Sequence, residues 1–157
     1  MNSSPRKRRR CPIRMSEAAR TSHGRCLCGA VRYEVRGPLR SVVACHCDMC
    51  RRATGHFAAA TAARGEALVL HEDRGLRWFD SSETARRGFC QFCGSNLFWA
   101  PKDGSRFSIM AGTLDKPTGL AIAVHIFVDD AGDYYRIADG VPQRTDGDHG
   151  VPLPPAP

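Results

Sequence analysis

From Gly24 onward the chain alternates apolar and polar positions in short bursts. Val31, Tyr33 and Val35 interleave with Arg32, Glu34 and Arg36, the period-two signature of a half-buried strand, and Gly37-Pro38 ends the run. A second apolar run over residues 39–44 leads into Cys45, and Arg51-Arg52-Ala53-Thr54 predicts a short helical turn before Gly55. Further strands are predicted at 57–63, 67–70, 76–79, 84–89, 97–99, 107–114 and 121–128, separated by turns at Gly65, 71–75 and 129–133. No stretch carries the period of a long amphipathic helix. Many short strands with regular punctuation make the expected fold class mostly β. Trp78, Phe79, Phe98 and Trp99 are read as core residues of the strands that carry them.

The patterned region runs from 23 to 143 and is read as one domain. Residues 1–22 are expected to be a disordered basic arm, and residues 144–157, with four prolines between 152 and 157, a Pro-rich mobile tail. Net charge is +7, which suggests nucleic acid until the charge is located. Residues 1–14 hold six of the 23 basic residues and no acid, which leaves 17 basic against 16 acidic residues in the rest. The arm is therefore read as a solvated extension, or as sequence preceding a first residue at Met15, with nucleic-acid association through the arm as an alternative function. The longest apolar run, Leu120 to Val128, is nine residues interrupted by His125, against the roughly 20 that cross a bilayer. Arg6 to Arg10 is not followed by the apolar segment of a secretory signal. The expected location is cytoplasmic.

Eight cysteines change the picture. Seven fall into tight clusters, Cys26-Leu-Cys28, Cys45-His-Cys47-Asp-Met-Cys50 and Cys90-Gln-Phe-Cys93, while Cys11 stands alone as a free thiol without a role. Without an export signal thiols stay reduced, and these spacings read as metal ligands, zinc first. As disulfides the close pairs would shut almost no loop and remove little unfolded-state entropy. Cys26 and Cys28 point the same way on an extended segment, and Cys90-x-x-Cys93 followed by Gly94 fits a metal knuckle. Together they would close a tetrahedron, tying an early strand to a late one across 61 intervening residues. Cys45, Cys47 and Cys50 would then be three ligands beside an open position, as in a catalytic zinc site. Spacing alone equally permits a zinc ribbon of Cys47, Cys50, Cys90 and Cys93, with Cys26, Cys28 and Cys45 left over.

The order Gly24-Arg25-Cys26-Leu27-Cys28-Gly29-Ala30-Val31-Arg32-Tyr33, then Cys45-His46-Cys47-Asp48-Met49-Cys50-Arg51, then Phe89-Cys90-Gln91-Phe92-Cys93-Gly94-Ser95-Asn96-Leu97, resembles the glutathione-dependent formaldehyde-activating enzyme family, which includes the domain of centromere protein V. His125-Ile126-Phe127-Val128 and Tyr135-Arg136-Ile137-Ala138-Asp139-Gly140 are similar to its C-terminal pattern. The resemblance implies an Mss4-like fold of several short, coiled antiparallel sheets stapled by two zinc ions. It assigns Cys26, Cys28, Cys90 and Cys93 to the structural ion and Cys45, Cys47 and Cys50 to the catalytic one.

Zinc held by three thiolates carries a formal charge of about −1, which makes it a poor activator of water and disfavours hydrolysis. Such a soft site suits a fourth sulfur, and a coordinated thiol is held as thiolate, the form that adds to an aldehyde. The resemblance implies reversible formation and cleavage of the carbon–sulfur bond of S-(hydroxymethyl)glutathione. The expected activity is thus a zinc-dependent carbon–sulfur lyase whose partner is a small thiol such as glutathione. A non-catalytic module that binds glutathione or zinc is the competing class, since thiols add to formaldehyde unaided. His46, between two ligands, and His125, in an apolar strand, are the acid–base candidates, each with a structural role as the alternative. Arg51 and Arg52 are the candidates for a substrate carboxylate, against a solvated face.

Overall fold

The computed structural model describes residues 20–155; the basic run, Met15 and Cys11 lie outside them. The elements are β1 (Thr21–Arg25), β2 (Arg32–Arg36), β3 (Val42–Cys45), α1 (Asp48–Thr54), β4 (Ala58–Arg64), β5 (Leu68–Glu72), β6 (Leu76–Asp80), β7 (Ala85–Cys90), β8 (Asn96–Pro101), β9 (Arg106–Met110) and β10 (Ile122–Ile126). Strands β1, β2 and β5 pair in that order as an antiparallel sheet. The other seven form one sheet in the order β10-β3-β4-β9-β8-β7-β6. The mostly β class holds. The expected set of short antiparallel sheets becomes two, and β10 runs parallel to β3. Side-chain alternation is the same for parallel and antiparallel strands, so the sequence pattern cannot distinguish them.

Each alternation assigns one set of side chains to the space between the sheets. Tyr33 and Val35 of β2, with exposures of 1% and 0%, pack with Phe98 of β8 and Ile109 of β9, both at 0%. The Tyr33 and Phe98 rings meet edge to face at 5.1 Å between centroids. The intervening residues of the large sheet, Trp99 on β8 and Arg106, Ser108 and Met110 on β9, face the other way and line a cleft. Alternation thus divides the large sheet into a core face and a cleft face. Phe79 is exposed and Trp99 lines the cleft, so of the four aromatic residues read as core only Phe98 is buried there, with Trp78 half-buried against it.

Two segment boundaries move. β1 begins at Thr21, inside the expected arm; its sequence Thr-Ser-His-Gly-Arg has no apolar residue and so gave no alternation to read. Gly24 is required there, because a Cβ would lie 2.3 Å from the Tyr33 ring. The tail from 144 is not free either. The Arg144 amide donates to the His125 carbonyl, the Phe127 amide to Asp146 and the Val128 amide to Arg144, while Val151 packs on Val43, Val124 and Ile126. Without this segment β10 would be an open edge with unpaired backbone groups, and a stretch without hydrophobic pattern supplies the missing partners.

Candidate metal centres

Cys26 follows β1, Cys28 lies in the turn that Gly29 makes at φ 78°, Cys90 ends β7, and Cys93 precedes Gly94 at φ 74°. The four sulfurs all lie within 4.8 Å of one another. Cys26 and Cys28 Sγ are 3.6 Å apart and Cys28 and Cys90 Sγ 3.8 Å. That is far beyond a disulfide and matches the edge of about 3.8 Å for a tetrahedron of zinc–sulfur bonds near 2.3 Å. Backbone and hydroxyl donors surround the set: the Val31 amide donates to Cys26 Sγ at 3.3 Å, and Ser95 Oγ lies 3.3 Å from Cys93 Sγ while accepting from the Leu27 amide. Because Cys26 leaves the small sheet and Cys90 ends a strand of the large one, this centre joins the two sheets.

Cys45, Cys47 and Cys50 form a second set, also within 4.8 Å, and no fourth His, Cys, Asp or Glu joins it among the described residues. Cys45 ends β3. Cys47 is the N-cap of α1, its sulfur accepting from the Cys50 amide at 3.4 Å, and Gly55 closes the helix in the left-handed region. The cap places Cys47 and Cys50 one helical turn apart, facing Cys45. The structure thus assembles the sets four and three and separates Cys47 and Cys50 from Cys90 and Cys93, which removes the zinc-ribbon alternative.

Crowded thiols cannot all ionise without a cation, and the titration directions show it. Cys47 is pushed down to about 2 by hydrogen bonds from Cys45 and then Cys50, while Cys45 is driven far up by Cys47. Cys93 falls to about 5 through Ser95, and Cys28 rises to about 11, against the favourable Ala30 amide, through burial and its three sulfur neighbours. A divalent ion stabilises every thiolate at once, so both donor sets fit zinc.

The three-sulfur set opens on a cleft of about 390 Å³ formed over the cleft face of the large sheet. Cross-strand neighbours make its floor: Cys45 opposite Ala58, Val43 opposite Ala60, Arg87 opposite Trp99, and Trp99 opposite Ser108. The alanines of β4 leave the depth, and Met49, Met110 and Phe127 contribute apolar wall. Arg40, Arg87 and Arg106 project into it, and Arg87 Nη2 donates to Cys50 Sγ at 3.6 Å.

Arg51 and Arg52 are not among the lining residues. Both pair with Asp48 on the outer side of α1, at 2.7 and 2.8 Å. His46 and His125 do not line the cleft either. Residues in an extended segment point alternately, so His46 turns away from the side that Cys45 and Cys47 share, as expected, and is fully buried. Its hydrogen bonds follow from one acid. The Asp139 carboxylate can only accept, so His125 Nε2–H donates to it at 2.9 Å; His125 Nδ1 then accepts from His46 Nε2–H at 2.8 Å, and His46 Nδ1 accepts from the Tyr135 hydroxyl. Burial above all pushes His46 down to about 4 and keeps it neutral. With the His46 amide donating to Ile126 at 3.0 Å, the network pins the ligand-bearing segment 45–47 to β10 and the loop after it. His125→Leu leaves the buried His46 Nε2–H without an acceptor and is expected to cost about 1–3 kcal/mol in urea unfolding of the metal-loaded protein.

The sequence profile of the glutathione-dependent formaldehyde-activating enzyme matches residues 21–130. The chain belongs to this family. Among relatives, an uncharacterized lyase of Schizosaccharomyces pombe is 27% identical over 118 residues, which cover 74% of this chain and 85% of that protein. A crystal structure of a Rhodobacter sphaeroides protein superposes with a TM-score of 0.53 at 26% identity, covering 62% of this chain and 91% of that one. The family match contains all seven clustered cysteines and ends before Tyr135, Asp139 and the segment that closes the cleft.

Proposed function

We propose that this formaldehyde-activating-family protein is a carbon–sulfur lyase that makes and breaks the adduct of a small aldehyde with a glutathione-like thiol. The observation that carries this reading is the three-cysteine set at the end of a cleft, beside a second set that is complete with four. Cys45, Cys47 and Cys50 would hold one zinc ion and Cys26, Cys28, Cys90 and Cys93 the other. When bound, the first ion supplies a sulfur-favouring coordination position at which a thiol is stable as thiolate.

The remaining work falls to the chain. Arg87 donates to the Cys50 sulfur and so offsets the negative charge of a three-thiolate site. The volume is sufficient for a tripeptide-sized ligand, within the roughly 300–1,000 Å³ of small-molecule sites. The apolar wall limits water around the reacting carbonyl, whose hydration competes with thiol addition. In the forward direction the thiol loses its proton, a bond forms from sulfur to the carbonyl carbon, and the carbonyl oxygen gains a proton; cleavage reverses each step. The relative named a lyase supports the class of reaction. His46 and His125 act by holding the 45–47 segment.

The test is exchange spectroscopy on an equilibrium mixture of formaldehyde and glutathione with zinc-loaded protein. Faster exchange between hydrated formaldehyde and S-(hydroxymethyl)glutathione is the expected result. Binding of glutathione without any acceleration would instead make the protein a carrier.

A further inference from the structure

Among the described residues Phe127 is the only one besides glycines with a positive φ, at φ 53° and ψ 45°. The left-handed region is costly for a bulky side chain, and a glycine would make the same turn out of β10 freely. Core burial does not fully offset that cost, since the residue is only half-buried. The turn sets a direction instead. Adjacent strand residues point to opposite faces, yet Ile126 and Phe127 both line the cleft, because the left-handed turn brings the second side chain round to the side of the first. The Phe127 amide donates to the Asp146 carbonyl and its own carbonyl accepts from the Asp130 amide, each at 3.2 Å, so the conformation is held from both sides. The ring rests on Gly147, where a Cβ would come within 2.9 Å of Cζ. Strained conformations that their surroundings over-determine gather at functional sites. This one borders the reacting end of the cleft: Ile126 is the register partner of Cys45, and Cys45 and Phe127 pack against the same cluster of Val43, Val124 and Ile126.

We infer that Phe127 is a specificity-determining residue, whose ring sets how large a group the cleft accepts on the carbon bonded to the ligand's sulfur. A sulfur drawn to the three-cysteine set brings its attached carbon to this wall. The ring is seated on Gly147 and its backbone is held at both ends, so it has little room to yield to a larger substituent. The inference rests on the thiol reading for where the ligand's sulfur lies.

The test titrates S-methylglutathione and S-benzylglutathione calorimetrically into the zinc-loaded full chain and its variants. The methyl compound is expected to bind at least about tenfold more tightly than the benzyl one, the low end of what a misfit in an apolar pocket produces. Phe127→Gly and Phe127→Ala should each bring the two affinities to within about threefold. In urea Phe127→Ala should unfold before Phe127→Gly, because only glycine is free at this positive φ. Selectivity lost equally in both variants therefore reports the ring and not the stability. Phe79→Ala, which removes an exposed ring outside the cleft lining, should leave the selectivity unchanged. Equal affinities in the unmodified protein overturn the inference without requiring any variant to fold. It is equally overturned by selectivity that survives both Phe127 variants, by its loss in Phe79→Ala, or by failure of both compounds to bind. Selective, Phe127-dependent binding without acceleration of thiol–formaldehyde exchange upholds the role of the ring and defeats the lyase reading; rapid exchange beside unselective binding does the reverse.

Discussion

Cys93→Ser is expected to abolish the fold: no cooperative unfolding transition in urea, and collapsed amide dispersion in the proton–nitrogen correlation spectrum, even with zinc in excess. The residue is chosen because it is half-buried, while Cys26 and Cys90 are 1% and 0% exposed and their loss would also disturb the core. A serine at 93 opens no cavity, so any large effect comes through the ion. That effect is large because an ion held by these four sulfurs would link the end of β1 to the end of β7, hence the two sheets. Structural zinc contributes about 10–16 kcal/mol in small domains near neutral pH, against a total stability of about 5–15 kcal/mol for a folded domain. Removing one of four ligands need forfeit only part of the first figure to exhaust the second. A strong chelator should reproduce the result on the unmodified protein. A Cys93→Ser protein that unfolds at the unmodified midpoint would remove this centre from the stability of the domain.

What the sequence made legible follows from how local each signal is. Strands with a buried and an exposed face announced themselves, β2 most plainly, because alternation is written into consecutive residues. β1 was hidden because it pairs through backbone and offers Gly24 to the Tyr33 ring in place of an apolar side chain. The seven clustered cysteines stood out because cysteines at these spacings have few other uses, and the structure gathers them into two sets that could hold metal ions. Their partition was not, since two divisions satisfy the same spacings and only the path of the chain chooses. The cleft arginines lay furthest from view. Arg87 and Arg106 occupy strand positions where a charged residue reads as solvent-facing, and Gly147 and His149 from the C-terminal segment help turn that face into a cleft. Arg51 and Arg52 follow Cys50 directly in sequence, yet both pair with Asp48 and neither lines the cleft. Proximity along the chain is a weak guide to a site assembled from six strands.

The division between the two centres predicts the opposite outcome for Cys47→Ser: a folded protein that has lost its activity. Cys47 caps α1, and its sulfur accepts the Cys50 amide. Serine is among the best residues at that position, so the helix keeps its cap and the change in fold stability should stay within about 1 kcal/mol of what the lost ion itself contributed. The hard hydroxyl does not replace a thiolate for zinc, so the bound metal should fall from two ions per chain to one by elemental analysis of dialysed protein. Substitutions that merely support a metal ligand cost 10- to 100-fold in activity, and removing a ligand outright should cost at least about a hundredfold in thiol–formaldehyde exchange. Retention of two ions and of exchange in Cys47→Ser would mean that the three-cysteine set is not the reacting centre, and equal unfolding of Cys47→Ser and Cys93→Ser would mean that both ions do the same structural work.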